Sequence, residues 1–255
     1  MISGFHGNSD PVMIFFILLS IYLVEKRHAV WLAAIALGLA MSIKVVPLIF
    51  LPAFIFYLPT IRQKVNLLVI AGAVFLFGAM PYIFQDPRII VEKVFGYSSF
   101  YGVWGWTSLL SPIGGPNLDS SQPMGSHEII NRIGKLLLLA SIVAVCFWMN
   151  RRNHKQPLLV QCGVVSFLFM FLTPGFGVQY LSWTIPFVVY LGLWPALMFY
   201  ATTSIFLFID YHCWAYWSTQ SYYCHTKIPS LASLACWMSI IVVLMIYRRK
   251  LKETT

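Results

Sequence analysis

Read only for its hydrophobic and polar positions, the chain is a succession of apolar runs separated by short polar turns. The runs fall at about 11–24, 29–43, 45–61, 66–84, 133–149, 158–173, 179–193, 195–209 and 228–247. A helix needs roughly 20 apolar residues to cross a bilayer perpendicularly. The pattern therefore predicts an all-α, polytopic membrane helix bundle of about nine spans, with residues 1–255 forming a single transmembrane domain. Some runs are short enough to be re-entrant. For the first pair that is rejected, because the tip would carry Glu25, Lys26, Arg27 and His28 to mid-membrane, where each charge costs several kcal/mol. Two short or tilted spans are expected instead. Pro47, Pro52 and Pro59 make the third run irregular.

Composition agrees with the pattern. The chain is 59% hydrophobic and only 10% charged, with a mean hydropathy of +0.78, which excludes an ordinary soluble domain. The opening residues are polar and glycine-containing, so no cleavable signal peptide is expected.

The net charge of +9 would suggest nucleic acid until its placement is considered. One set of turns holds Lys26, Arg27, Arg62, Lys64, Arg151, Arg152, Lys155, Arg248, Arg249, Lys250 and Lys252 against Glu25 and Glu253. The other set is balanced. That asymmetry is the positive-inside signature and leaves no excess charge for nucleic acid. It predicts a cytoplasmic C-terminus and an N-terminus outside. The outer loops are then about 1–10, 85–132, 173–179 and 210–227, with a tight turn at Lys44. They carry most of the carboxylates and histidines, so chemistry is expected on that face, at the membrane boundary.

The opening loop, Ser3-Gly-Phe-His-Gly-Asn-Ser-Asp10-Pro11, offers His6 and Asp10 as base, phosphate contact or metal ligand. Asn8, Ser9 or Asp10 is equally a helix cap, with Pro11 at the first helical position. Lys44 lies in a tight turn on the acid-rich side. It either snorkels to the interface or has a partner such as a phosphate or Asp10. In the long loop, Arg88 and Lys93 are available for a lipid phosphate, and Ile89, Ile90, Val94 and Phe95 suit an interfacial helix. The aromatics through Trp106 read as an interfacial belt, with sugar stacking as the alternative. Thr173-Pro-Gly-Phe-Gly-Val-Gln-Tyr180 is a second glycine-rich loop, with Gln179 and Tyr180 at the membrane edge. His212, Cys213, Cys224 and His225 match no common zinc spacing. A Cys213–Cys224 disulfide in an oxidising compartment is the preferred reading. Cys146, Cys162 and Cys236 fall within spans as packing residues.

The opening His-Gly-Asn-Ser-Asp, the Ala/Gly/Leu-rich run ending at Lys44-Val-Val-Pro47, and Pro174-Gly-Phe-Gly-Val-Gln-Tyr-Leu-Ser-Trp183 together resemble the membrane glycosyltransferases of the GT-C fold. The likeness is greatest to the polyprenol-phosphate-mannose-using group, glycosyltransferase family 87, over about residues 4–190. The resemblance implies transfer of mannose or another hexose from a polyprenyl-phosphate donor to a glycan or lipid acceptor outside the cytoplasm. It implies a carboxylate acting as base and cations facing the departing phosphate. On this chain those residues are Asp10 and His6 for catalysis, Lys44 and Arg88 for phosphate, and Gln179 and Tyr180 for sugar or acceptor. No cofactor or metal is assigned, and the partners implied are membrane lipid, donor and acceptor. In such enzymes further spans, and a catalytic aspartate in the first outer loop, usually precede this part, so an upstream segment is expected. A flippase or transporter of lipid-linked substrates and a non-catalytic membrane scaffold are the other classes open to this sequence.

Overall fold

The computed structural model describes residues 9–86, 88, 100–101, 104–110, 124–151, 156–215 and 228–253. His6, the amphipathic stretch after Arg88, Cys224 and the Cys213 side chain fall outside the described positions, and with them the interfacial helix and the disulfide. The described chain is an all-α helix bundle. Four helices within it are long and apolar enough to cross a membrane, and shorter apolar helices accompany them. This is an integral, multi-pass membrane protein.

The chain forms two compact units, one from Met1–Tyr97 and Ile142–Val165, the other from Ser98–Ser141 and Ser166–Thr254. The first is built on an antiparallel hairpin of α1 (Asp10–Glu25) and α2 (Val30–Ile43). Helix α1 buries Met13, Ile17, Ser20, Ile21 and Val24 along one stripe, the spacing that puts side chains on a single helical face. Its other face exposes Val12, Phe15 and Tyr22, as lipid contact requires. Across the hairpin, the Ser20 hydroxyl donates to the Ala33 carbonyl at 2.8 Å. The turn places His28 at φ 52, a left-handed conformation costly for a residue with a Cβ.

Helix α2 is rich in small buried residues, Ala33, Ala34, Ala36, Gly38 and Ala40, which allow backbones to approach closely in a membrane. A Cβ on Gly38 would lie 2.6 Å from the Val74 Cβ and 2.8 Å from the Ala71 carbonyl oxygen. The neighbour is α4 (Ile61–Gln85), reached through a 3-10 turn (Val46–Phe50) and the short α3 (Leu51–Tyr57). Pro47 and Pro52 each fall in the first turn of their helical segment, where the missing N–H costs nothing. The third apolar run is thus irregular for the reason its prolines suggest. Helix α4 starts at Thr60, whose hydroxyl accepts from the Gln63 N–H at 3.3 Å. Most of α4 faces outward, with Ile61, Val69, Phe77 and Phe84 strongly exposed.

The second unit holds α5 (Gly105–Leu110), α8 (Tyr180–Trp183), α9 (Ile185–Tyr190), α10 (Leu193–Ala215) and α11 (Ile228–Glu253), with a two-residue strand pair, β1 (Phe100–Tyr101) against β2 (Gly175–Phe176). Helices α10 and α11 pack together, and the Thr202 hydroxyl donates to the Ser239 hydroxyl at 3.2 Å. The run at 179–193 is two short helices rather than one. Thr184 interrupts it, its hydroxyl bonded to the Leu181 carbonyl at 2.8 Å, and Pro186 opens the second piece. Gly192, at φ +115, ends that piece, a backbone conformation open chiefly to glycine. The division between units falls within α6 (Met124–Arg151) and α7 (Leu158–Leu172).

Candidate functional site

The first cluster forms where α1 begins and α2 ends. Ser9 occupies the N-cap position but makes no side-chain capping bond, so capping is not the role of its hydroxyl. Asp10 is the first helical residue and Pro11 the second, not the first. The positive end of the helix dipole favours a carboxylate there. At the adjoining end of α2, Lys44 leaves the helix in an extended conformation, φ −149 and ψ 147, and the negative end of that helix dipole favours its cation. The two side chains form an ion pair, with Asp10 0% and Lys44 24% exposed. Lys44 thus has the carboxylate partner that its position suggested, and its side chain stays partly exposed.

The register between α2 and α4 places Arg88 at the same end of this unit. Ser42 donates to the Gly38 carbonyl at 2.9 Å and more weakly to that of Val74 at 3.4 Å, and it lies against Gly78. From Gly78, α4 continues roughly 10 Å further before it ends. Beyond it, the Arg88 N–H donates to Asp86 Oδ1 at 2.9 Å in a local turn, and Arg88 is exposed.

At the opposite end of α1, a residue not singled out by motif closes α7. The Glu25 carboxylate accepts from the Leu158 N–H and, at 3.2 Å, from the Leu159 N–H. Pro157 precedes the helix, and an acidic side chain at a helix start satisfies donors that have no partner within the helix. Close by, Asn150 donates to Gln161 Oε1 at 2.8 Å and to the Cys146 carbonyl at 2.8 Å, holding α6 to α7. Cys146, Cys162 and Cys236 are free and buried. Among the described residues, no three His, Cys, Asp or Glu side chains converge as a metal site would require.

Gln179 and Tyr180 belong to the second unit. Thr173 through Phe176 are buried, and the loop becomes partly open at Gly177, Val178 and Gln179. Gln179 holds the N-terminal side of α8 through its carbonyl, which accepts from the Ser182 hydroxyl at 2.7 Å. The Tyr180 ring is 5% exposed. It packs on Trp183 at 4.3 Å and on Phe169 at 5.5 Å. Gln179 is thus the less buried of the two, and the Tyr180 ring is held among aromatic neighbours.

Trp104 and Trp106 also differ from the interfacial-belt expectation. Trp104 is 1% exposed, its indole N–H donating to the Met170 carbonyl at 2.8 Å. Trp106 donates to the Leu172 carbonyl at 3.1 Å and Trp237 to the Phe171 carbonyl at 2.9 Å. The signal for these contacts was only generic: a buried indole needs an acceptor, and a helix end supplies several.

The model of glycosyltransferase family 87 fits residues 4–174, more than half of the chain. It takes in the Asp10–Lys44 cluster and stops at the start of the glycine-rich loop. No curated protein and no solved structure matches.

Proposed function

Since the chain belongs to glycosyltransferase family 87, we propose that it is a GT-C-type hexosyltransferase. It moves mannose or another hexose from a polyprenyl-phosphate donor to a glycan or lipid acceptor on the non-cytoplasmic face. The bond from sugar C1 to the phosphate oxygen breaks, its electron pair leaving with the lipid phosphate. The acceptor oxygen bonds to C1 and gives its proton to a base.

The observation that carries this reading is the buried Asp10–Lys44 pair. A departing phosphate needs a fixed positive charge where little water competes, and Lys44 is a partly buried lysine paired with a fully buried carboxylate. Asp10 orients Lys44 in the resting enzyme. When the donor phosphate engages Lys44, Asp10 becomes available to take the acceptor proton. Arg88, at the same end of the unit, is the second phosphate cation, and His6 lies four residues before Asp10 in the opening loop. Gln179 and Tyr180 contribute to sugar or acceptor binding, as the resemblance implies. The charge asymmetry of the turns supports an N-terminus outside and a cytoplasmic C-terminus.

The test uses the full chain in lipid nanodiscs with a radiolabelled polyprenyl-phosphate mannose and a lipid-glycan acceptor extract. Label should leave the prenyl phosphate and appear on acceptor. Lys44→Ala should abolish transfer and, by leaving the buried Asp10 carboxylate without its cation, also lower the melting temperature; near-normal turnover in that variant would remove Lys44 from the site. Movement of intact donor across the bilayer without cleavage of the sugar–phosphate bond would replace this reading with transport.

A further inference from the structure

The surface of α11 is divided into two stripes. Cys236, Ile240, Val243, Tyr247 and Leu251 are buried, and their spacing of three and four residues puts them on one side of the helix. Leu231, Met238, Val242 and Met245 are exposed. At about 100° per residue these four fall on the opposite side, the side on which a membrane helix meets lipid chains.

The end of the helix carries four cations, Arg248, Arg249, Lys250 and Lys252, against one acid, Glu253. The two sides use them differently. On the side toward α9, the Lys250 ammonium donates to the Tyr190 carbonyl at 3.3 Å and lies 4.5 Å from the centre of the Tyr190 ring. One turn earlier, the Tyr247 hydroxyl donates to the Phe187 carbonyl at 2.7 Å. Both acceptors belong to the last turn of α9, where carbonyls have no partner within the helix. Lys250 thus serves the fold.

Arg248 and Arg249 are exposed. Arg249 continues the Leu231–Met245 stripe, four residues beyond Met245, and Arg248 flanks it about 100° round the helix. The positive-inside trend asks only that cations lie on one side of the membrane. It does not ask that they stand at the foot of a lipid-facing stripe. Helix α10 begins beside them, just after the Tyr190 contact, with Leu193 and Trp194 exposed, and tryptophan favours the headgroup level. A guanidinium fork also holds two phosphate oxygens at once, which an ammonium does not. On α4, by contrast, Arg62 is exposed but Lys64 lies about 200° away from it, so that pair does not converge.

We propose that Arg248 and Arg249 form a binding site for an anionic phospholipid of the bilayer, the headgroup phosphate held by the two guanidinium groups and an acyl chain lying along Met245, Val242 and Met238. The site needs no sugar and is independent of glycosyl transfer.

The experiment titrates phosphatidylglycerol or phosphatidylcholine into the full chain in neutral detergent and counts bound lipids by native mass spectrometry. Melting temperatures are measured in nanodiscs of each lipid, where both leaflets are alike and a change of topology has no effect. The wild-type chain should bind phosphatidylglycerol more tightly than phosphatidylcholine. Arg248→Gln with Arg249→Gln should weaken its tightest phosphatidylglycerol about thirtyfold, the worth of two cations facing an anionic headgroup layer, with wild-type stability in phosphatidylcholine. Arg62→Gln with Lys64→Gln removes the same charge and should leave that tightest lipid in place. Lys250→Gln should lower the melting temperature equally in both lipids and keep the preference for phosphatidylglycerol. Equal losses in the two double variants would reduce the effect to diffuse charge and overturn the site. Equal affinity of the wild-type chain for the two lipids would overturn it as well. Displacement of phosphatidylglycerol by soluble glycerol phosphate would do the same, by showing that the acyl chain contributes nothing.

Discussion

The two ends of α7 are finished with different chemistry. At its start, one charged group, the Glu25 carboxylate, satisfies two backbone donors. At its end, three neutral indoles each satisfy one carbonyl. Glu25 is part-exposed beside the exposed Lys26, Arg27 and His28, so it keeps some of its hydration. The carbonyl end is enclosed by aromatic rings, and a charged cap there would lose its solvation with no matching gain. Indole N–H groups give the bond without the charge. Helix α7 is thus closed by charge beside the exposed basic turn and by neutral donors where aromatic rings surround its last carbonyls.

The charged style of contact recurs at Asp10–Lys44, and breaking it should have the largest effect. Asp10→Ala leaves an ammonium without its carboxylate, a change typically worth about 3–5 kcal/mol when the pair is buried. A fall in melting temperature, together with lost transfer, is the expected outcome. Asp10→Leu combined with Lys44→Met should recover most of the stability and none of the activity, and this separates scaffold from site. Recovered transfer in the double variant would show that the pair serves only the fold.

The next effect concerns backbone approach rather than charge. Gly38→Val places carbon atoms where Val74 and the Ala71 carbonyl already lie, and overpacking of this kind costs about 1–3 kcal/mol. Thermal unfolding of the purified variant measures it. Glu25→Ala removes the charged cap of α7 and should cost about 0.5–2 kcal/mol, with faster hydrogen exchange at Leu158 and Leu159. Trp106→Phe removes one of three neutral caps and should cost about 1 kcal/mol. If Trp106→Phe proves costlier than Glu25→Ala, the ranking of the two styles of closure is reversed.

Most of the helical framework was legible because a span is written in one dimension, as a run of apolar residues. The ion pair was legible in part: a lysine on the acid-rich side asks for an anion, and the topology put Asp10 on the same face. The break at Thr184 was less so, since a run containing one proline reads much like an unbroken helix until the hydroxyl is seen bonded to Leu181. The tryptophan contacts were hidden for a different reason. Trp104 and Trp106 lie 66 residues from the carbonyls they bond, and an aromatic in a loop looks the same in sequence whether it faces lipid or the end of a helix. Burial of Asp10 was likewise unreadable, because it depends on what packs over the start of α1.

The Glu25 contact also has a consequence in time. Its two partners are separated by 133 residues, and a ribosome adding about 5–20 residues per second needs on the order of ten seconds to bridge that interval. The residues of the α1–α2 hairpin, with the Ser20 and Asp10–Lys44 contacts that close it, are all synthesised long before then, and Glu25 has no helix to cap until α7 follows. In order of synthesis, α7 is thereby the late arrival, and its first turn is completed by a carboxylate made well before it.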